Sequence, residues 1–223
     1  SKEGCAEGDC GACTVVLARS DACGRMVWRP GNGCILFMGM LEGASVTTIE
    51  GLSDGAGGLH PCQQAMVDFH ASQCGFCTPG FVMSLFAAWC NGDGLEAAAI
   101  DDTLAGNLCR CTGYRPIVDA GLSLVGGDLP AFELARRQTE AGLMAEIAHD
   151  ETVRLADDGA AGNVAFVAPA RADEFTRFYA DNPDATIVSG ATDVGLWVTK
   201  QQRHLPAMLW TGRVAGFKQT VET

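Results

Sequence analysis

The sequence predicts an α+β protein built from a few small units, and three observations carry that reading. A loop rich in cysteine and glycine, Cys5-Ala6-Glu7-Gly8-Asp9-Cys10-Gly11-Ala12-Cys13, runs into Thr14-Val15-Val16-Leu17, a β-branched apolar stretch that reads as a buried strand. Further on, Val82, Leu85, Phe86 and Trp89 recur at helical spacing behind Thr78, an N-cap residue, and Pro79, which suits a first helical position. Beyond these, Thr186-Ile187-Val188-Ser189 reads as a short buried strand that delivers a glycine-rich turn, Gly190-Ala191-Thr192-Asp193-Val194-Gly195.

Composition narrows the class. The 223 residues are 48% hydrophobic, and 27 acidic against 15 basic side chains give a formal charge of −12. So acidic a surface argues against nucleic acid and anionic membranes as partners, both of which need a basic footprint. No apolar run is long enough to span a bilayer and no charged-then-apolar leader is visible, so the expected setting is the cytoplasm. Eleven cysteines are the outlying number. The count is odd, and Cys109 and Cys111 are separated by a single residue, which strains a disulfide between them. Clustered thiols without a secretory signal point to metal ligation in a reducing compartment.

The first cysteine set is Cys5, Cys10 and Cys13, with Cys34 further on. C-x4-C-x2-C followed by a distant fourth cysteine is the plant-type spacing for a [2Fe–2S] cluster. Such a loop must wrap a flat two-iron rhomb and aim backbone N–H groups at its sulfurs, and Gly8 and Gly11 suit that task. Zinc is the competitor, but its structural sites usually draw on two short C-x2–4-C knuckles.

A second set follows: Cys74 and Cys77 in QCGFCTPG, then Cys109 and Cys111 in LCRCTGYRP, about thirty residues on. Cys77 is placed against the positive end of the helix after Thr78, which favours its thiolate. Pro116 can open another helix that includes Ile117, Val118 and Leu122. Two cysteine pairs on helix-flanking loops can face each other inside a helical bundle, with iron–sulfur and zinc both open. Cys23, Cys62 and Cys90 read as small buried hydrophobes. The four histidines lack partners at ligand spacing and are left out, including His60 and His70 near the cysteine motifs.

Between the cysteine motifs and the last unit, residues 130–149 read as a helix or two. The polar run Asp157-Asp158-Gly159-Ala160-Ala161-Gly162 reads as a flexible turn closing a linker. A third unit is expected from about Val164, with a helix from Pro169 to Ala180. The turn at 190–195 fits either an ordinary turn or a phosphate cradle. It is not a G-x-G-x-x-G fingerprint, and it lacks the lysine of a P-loop.

Taken together and in this order, CAEGDCGACT, QCGFCTPG, NLCRCTGYRP and IVSGATDVG resemble the molybdenum hydroxylase family, and within it the iron–sulfur and flavin subunit of xanthine dehydrogenases. The resemblance implies that Cys5, Cys10, Cys13 and Cys34 hold the [2Fe–2S] cluster nearer the flavin. It implies that Cys74, Cys77, Cys109 and Cys111 hold the one nearer a molybdopterin, with Gln73 close to that pterin. Ile187, Val188, Ser189, Gly190, Ala191, Thr192, Asp193 and Val194 would line FAD. The molybdopterin belongs to a large partner subunit, and electrons pass through both clusters to FAD and then to NAD; no residue of this chain is assigned a catalytic role. An aldehyde oxidoreductase of the same family is the alternative, and a zinc-stabilised, non-redox interaction domain is the alternative from another class.

The implied architecture is a β-grasp, ferredoxin-like [2Fe–2S] domain over residues 1–57 and a helical-bundle [2Fe–2S] domain over 58–125. A linker over 126–162 and the N-terminal part of an α+β FAD-binding domain over 163–223 follow. In the family a β-hairpin precedes the first cysteine loop and the flavin domain continues past the residue matching Thr223. Both ends are therefore expected to be cut, with FAD retention by this piece in doubt.

Overall fold

The computed structural model describes residues 1–21, 23–53, 55–156 and 164–217. It forms two compact units: unit 1 is Ser1–Cys34 with Gly43–Ala148, and unit 2 is Ile35–Glu42 with His149–Thr223. The fold is mixed α+β.

In unit 1, strands β1 (Thr14–Ser20), β2 (Met26–Asn32) and β3 (Ser45–Thr47) make an antiparallel sheet in the order β2-β1-β3. β1 and β2 form a hairpin in which Thr14 pairs with Asn32 and Ala18 with Trp28. The β-branched start of β1 does what its sequence predicts: Val16 and Ala18 are buried in the core. Helix α1 (Pro61–Asp68) is opened by a capping box, with His60 Nδ1 accepting from the Cys62 N–H and Gln63 Oε1 accepting from the His60 N–H. The bundle is completed by α2 (Thr78–Asn91), the short α3 (Ile100–Leu104) and α4 (Arg115–Leu122).

Helix α2 is the spine. Phe81, Val82, Met83, Leu85, Phe86 and Ala87 are all buried, so it is apolar on nearly every face, packed on the hairpin as well as on α1 and α3. It starts one residue before the expected cap, since Cys77 is the N-cap and Thr78 and Pro79 already lie inside the first turn. It ends at Gly92, whose φ of 75° makes a left-handed cap on the Ala88 carbonyl. Asn91 meets edge strand β2 reciprocally: its Oδ1 accepts from the Trp28 N–H at 3.0 Å and its Nδ2 donates to the Trp28 carbonyl at 2.7 Å.

Helix α5 (Ala131–Ile147) lies where residues 130–149 read as helical, within the expected linker, and belongs to unit 1. Its burial inverts its hydropathy. Leu134 and Leu143 are about half exposed, whereas Glu133 is 0% and Glu140 6% exposed. Glu133 takes Arg136 Nε and Nη2 at 2.7 and 2.6 Å and Arg137 Nε at 2.9 Å. Glu140 accepts from Trp28 Nε1 at 3.0 Å and Ser45 Oγ at 2.6 Å, and Arg137 Nη1 donates to the Cys90 carbonyl. The Arg137 guanidinium also lies over the rings of Trp28 and Trp89. One helix thus clasps the hairpin and the C-terminal end of α2 together, through paired charges rather than an apolar stripe, although Arg137 Nη2 is buried without a hydrogen-bond partner.

In unit 2, β4 (Val153–Ala156), β5 (Val164–Ala168), β6 (Thr186–Val188) and β7 (Met208–Trp210) form a sheet in the order β4-β5-β7-β6. β4 runs antiparallel to β5, while β7 is parallel to both β5 and β6. Helices α6 (Ala172–Asp181) and α7 (Thr192–Thr199) provide the crossovers. The expected helix from Pro169 begins three residues later, because β5 and its loop run through Arg171. Met40 packs with Val153, Phe166 and Val188 in this core, and a Cβ on Gly39 would stand 2.4 Å from the Phe166 ring. The expected flexible turn at Asp157 to Gly162 lies outside the described residues. Among the described residues, no helix is long and apolar enough to cross a membrane.

Candidate metal centres

The first cysteine loop is folded around sulfur. The N–H groups of Glu7 and Cys10 each donate to Cys5 Sγ at 3.3 Å, and the Cys5 N–H donates to Cys10 Sγ at 3.4 Å. Such a fold needs left-handed backbone, supplied by Ala6 (φ 55°), Gly8 (φ 73°) and Gly11 (φ 70°). Burial pushes the Cys5 thiol up, but the N–H groups of Cys10, Glu7 and Asp9 outweigh it and hold the thiol at about 7. Cys13 sits at the mouth of β1, where the Gly33 N–H donates to its carbonyl at 3.2 Å. That bond draws in the turn carrying Cys34. The Cys34 thiol is pushed up to about 11, by burial and then by Cys13 beside it, with Cys5 adding repulsion. Cys5 is thus paired with Cys10, and Cys13 with Cys34.

The second set is assembled by the starts of α2 and α4. Cys74 Sγ and Cys111 Sγ stand 3.6 Å apart. Cys77 adjoins Cys109, and its thiol is pushed up to about 12, by burial first and by Cys109 second. Its place at the N-cap of α2 matches the sequence reading, but the expected thiolate-favouring effect of the helix end loses to burial in the free thiol. Tyr114 shapes the other side. Held at φ 68°, it places its hydroxyl to accept the Cys109 N–H at 3.0 Å, while Thr112 Oγ1 lies 3.1 Å from Cys109 Sγ. The Cys109 thiol is lowered, burial being outweighed by Thr112 and its neighbours. Cys74 is lowered chiefly by the Phe76 N–H, and Cys111 is raised by Cys74 beside it.

These distances discriminate between chemistries. All eleven cysteines are free thiols, and 3.6 Å far exceeds the ~2.05 Å of a disulfide. Two thiolates on one tetrahedral metal with bonds of about 2.3 Å stand roughly 3.8 Å apart, close to the Cys74–Cys111 separation. Among the described residues, no three His, Cys, Asp or Glu side chains close around a single ion. The thiols come together by twos, an arrangement that suits ligands divided between two irons. Both sets therefore fit a two-iron cluster.

The remaining sequence candidates are placed as follows. Gln73 is exposed next to Cys74. Ile187 and Val188 lie at the end of β6; Ser189, Gly190 and Ala191 turn; Thr192, Asp193 and Val194 open α7. The turn is open, with Gly190 exposed and Ala191 in the left-handed region at φ 59°. Cys62 and Cys90 are buried as expected, but Cys23 is exposed at the hairpin tip, where Asp21 Oδ1 accepts its N–H. A β-turn has no interior to put it in. Sequence reasoning missed the buried Glu133 and Glu140 and the capping role of His60. The Gln63 three residues after His60 was the available signal for the latter.

Known proteins resemble this chain over its cysteine-bearing half. Residues 48–122 match the model of a family described as "[2Fe-2S] binding domain", a stretch that contains all four cysteines of the second set. The chain is 46% identical over 121 residues to aldehyde oxidase 1 of Oryctolagus cuniculus, covering 54% of this chain and 9% of that protein. It is 47% identical over 122 residues to xanthine dehydrogenase of Oryza sativa subsp. japonica, again covering 54% of this chain and 9% of the relative. Among solved structures, quinoline 2-oxidoreductase from Pseudomonas putida 86 is 34% identical, with a TM-score of 0.46, covering 62% of this chain and 76% of that one. The chain thus spans about a tenth of the curated relatives' length, and those relatives, all oxidoreductases, support the molybdenum hydroxylase family.

Proposed function

We propose that this chain is the electron-transfer part of a molybdenum hydroxylase, with Cys5, Cys10, Cys13 and Cys34 holding one [2Fe–2S] cluster and Cys74, Cys77, Cys109 and Cys111 a second. The observation that carries this reading is the gathering of eight thiols into two sets, each arranged pairwise and each served by backbone or hydroxyl donors. Bound there, the clusters supply one-electron chemistry; the chain supplies ligands, N–H donors that favour the thiolate, and burial that sets potential.

The wider reading keeps the roles implied by the family resemblance. Gln73 and the second set face a molybdopterin held by a large partner subunit, and the first set lies toward the flavin. Residues 187–194 line FAD, from which NAD takes a hydride, and the setting is cytoplasmic. The strand–turn–helix at 186–199, with Ser189 and Gly190 exposed at its turn, supports an FAD pyrophosphate site. Xanthine is the favoured substrate. An aldehyde is the second reading, supported by near-equal identity to an aldehyde oxidase and a xanthine dehydrogenase. The choice between them belongs to the molybdenum site.

Iron and acid-labile sulfide counts on anaerobically purified protein test the core of the proposal, together with low-temperature EPR after dithionite reduction. Two clusters require about four irons and four sulfides per chain and two distinct reduced signals. Colourless protein that carries zinc after iron reconstitution refutes it.

A further inference from the structure

We infer that unit 1 carries a buried water-binding site between His60, the cap of α1, and Glu133 of α5. The His60 ring is 0% exposed, and its neighbours fix its tautomer. Nδ1 accepts the Cys62 N–H at 3.1 Å, so the single ring proton of the neutral imidazole sits on Nε2. That Nε2–H is buried with no hydrogen-bond partner among the described residues. Glu133 Oε2 is 3.8 Å away, past the ~3.2 Å limit of an N–H···O bond. The Phe86, Trp89 and Phe132 rings stand edge-to-face around the imidazole and offer it no oxygen. A buried donor left in this way costs about 1–3 kcal/mol unless something takes its proton.

Glu133 has the complementary deficit. A carboxylate offers about four acceptor sites. Oε1 takes Arg136 Nη2 and Arg137 Nε, whereas Oε2 takes only Arg136 Nε. One acceptor site therefore remains, on the oxygen 3.8 Å from the unpaired His60 donor. Arg137 adds a second unpaired donor. Its Nη2 shares one edge of the guanidinium with Nε, the atom bonded to Glu133, and it too is buried without a partner.

These requirements select the ligand. It must accept from the Nε2–H and donate to a carboxylate, at about 2.8 Å from each. Chloride could accept, but Oε2 repels it. Ammonium or a metal ion would suit Oε2 but has no lone pair for the Nε2–H. The charges of Glu133 and Glu140 are already met by Arg136 and Arg137, so nothing calls for an ion. Water does both tasks, and its second lone pair can take Arg137 Nη2, which gives it about three partners, the usual number for a buried water. One ordered water of this kind does not screen the cluster as bulk solvent would. It ties α5 to the cap of α1. None of its partners is a cysteine of either set.

The test uses the full chain. High-resolution diffraction is expected to show one density peak about 2.8 Å from both His60 Nε2 and Glu133 Oε2. In solution, the nitrogen shifts of the His60 ring are expected to report the Nε2–H tautomer. That proton should give a rotating-frame cross-peak to water whose sign marks proximity rather than exchange. In Glu133→Gln the water loses the acceptor for its own proton, and the cross-peak is expected to fall about threefold or more with the tautomer unchanged. A direct Nε2–Oε2 bond shorter than about 3.2 Å, with no density beside it, overturns the site. So does an Nε2 proton shifted upfield by a neighbouring ring and without contact to water, since the N–H is then spent on an aromatic face. An undiminished cross-peak in folded Glu133→Gln overturns it as well, because the carboxylate then does not hold the water. If that variant does not fold, the wild-type density and cross-peak decide alone.

Discussion

Replacing Glu133 by glutamine probes the clasp that α5 makes on unit 1. The Glu133 side chain is 1% exposed, and its partners Arg136 and Arg137 are 24% and 19% exposed, so all three charges are largely out of water. Two guanidinium groups share this carboxylate through three N–H donors at 2.6–2.9 Å. Glutamine keeps the shape but turns one acceptor into a donor that faces a guanidinium; it takes the carboxylate from Arg137 and leaves Arg136 with only Glu140, 3.7 Å away. Breaking a buried ion pair from one side typically costs about 3–5 kcal/mol, far above the ~1 kcal/mol of an exposed pair. The expected result of urea unfolding is a midpoint lowered by that free energy divided by m, with the slope m unchanged, followed by far-UV circular dichroism and by visible absorbance. Replacing Glu133, Arg136 and Arg137 together by leucine, leucine and methionine is expected to recover most of the loss, because the desolvation cost leaves with the charges. A loss below about 1 kcal/mol for Glu133→Gln refutes the argument, since it means that water reaches the cluster.

Two further outcomes follow from neighbouring groups. His60 is held at about 4 rather than its ordinary 6.5, by burial first, with Glu133 opposing and Arg136 and Arg137 reinforcing. Because the folded chain refuses a proton that the unfolded chain accepts, stability is complete above 6.5 and falls as pH drops toward 4, by about 3 kcal/mol across the window. Unfolding free energies of wild type and His60→Gln, measured at pH 7 and at pH 4.5, should diverge; parallel profiles remove His60 from the account. Tyr114→Phe deletes the acceptor of the Cys109 N–H. A stability loss of about 1 kcal/mol is expected, with a shifted EPR signal for the second cluster and an unchanged one for the first. Equal shifts in both signals would contradict the local role given to Tyr114.

The grouping of the thiols was readable from spacing, because C-x4-C-x2-C and C-x2-C leave the backbone few ways to fold other than around a shared centre. The α+β class was readable for the same kind of reason: β1 is β-branched where it is buried, and α2 is apolar for several turns. The helix at 130–149 was readable too, but which face of α5 is buried was not. Its acids, Glu133 and Glu140, sit inside and its leucines outside, so a reading that assigns charge to solvent turns the helix the wrong way round and calls the segment a linker. Periodicity does not find the buried face of such a helix, because the arginines that neutralise Glu133 lie on its own next turn. Cys23 failed for the opposite reason, since its small apolar side chain was assigned to a core and the hairpin tip has none. The hydrogen bonds that Asn107 Nδ2 donates to the Gly11 carbonyl and to Thr14 Oγ1 were hidden, because partners nearly a hundred positions apart leave no local pattern.

Residues Ile35–Glu42 lie in unit 2 although the chain on both sides of them lies in unit 1. During synthesis they leave the ribosome more than a hundred residues ahead of β4 to β7, the strands they pack among. Met40 must then wait, apolar and unhoused, until Phe166 and Val188 are made. For the same reason unit 2 is not a cassette. A gene break after Ala148 would carry its sheet away without Gly39 and Met40, and would leave behind a stretch bonded to the thiol-bearing Cys34 with no core to enter. Recombination that exchanged one unit for a homologue's would therefore have to exchange these eight residues with it, and sequence drift at positions 35–42 should follow unit 2 rather than the cysteine loops beside them.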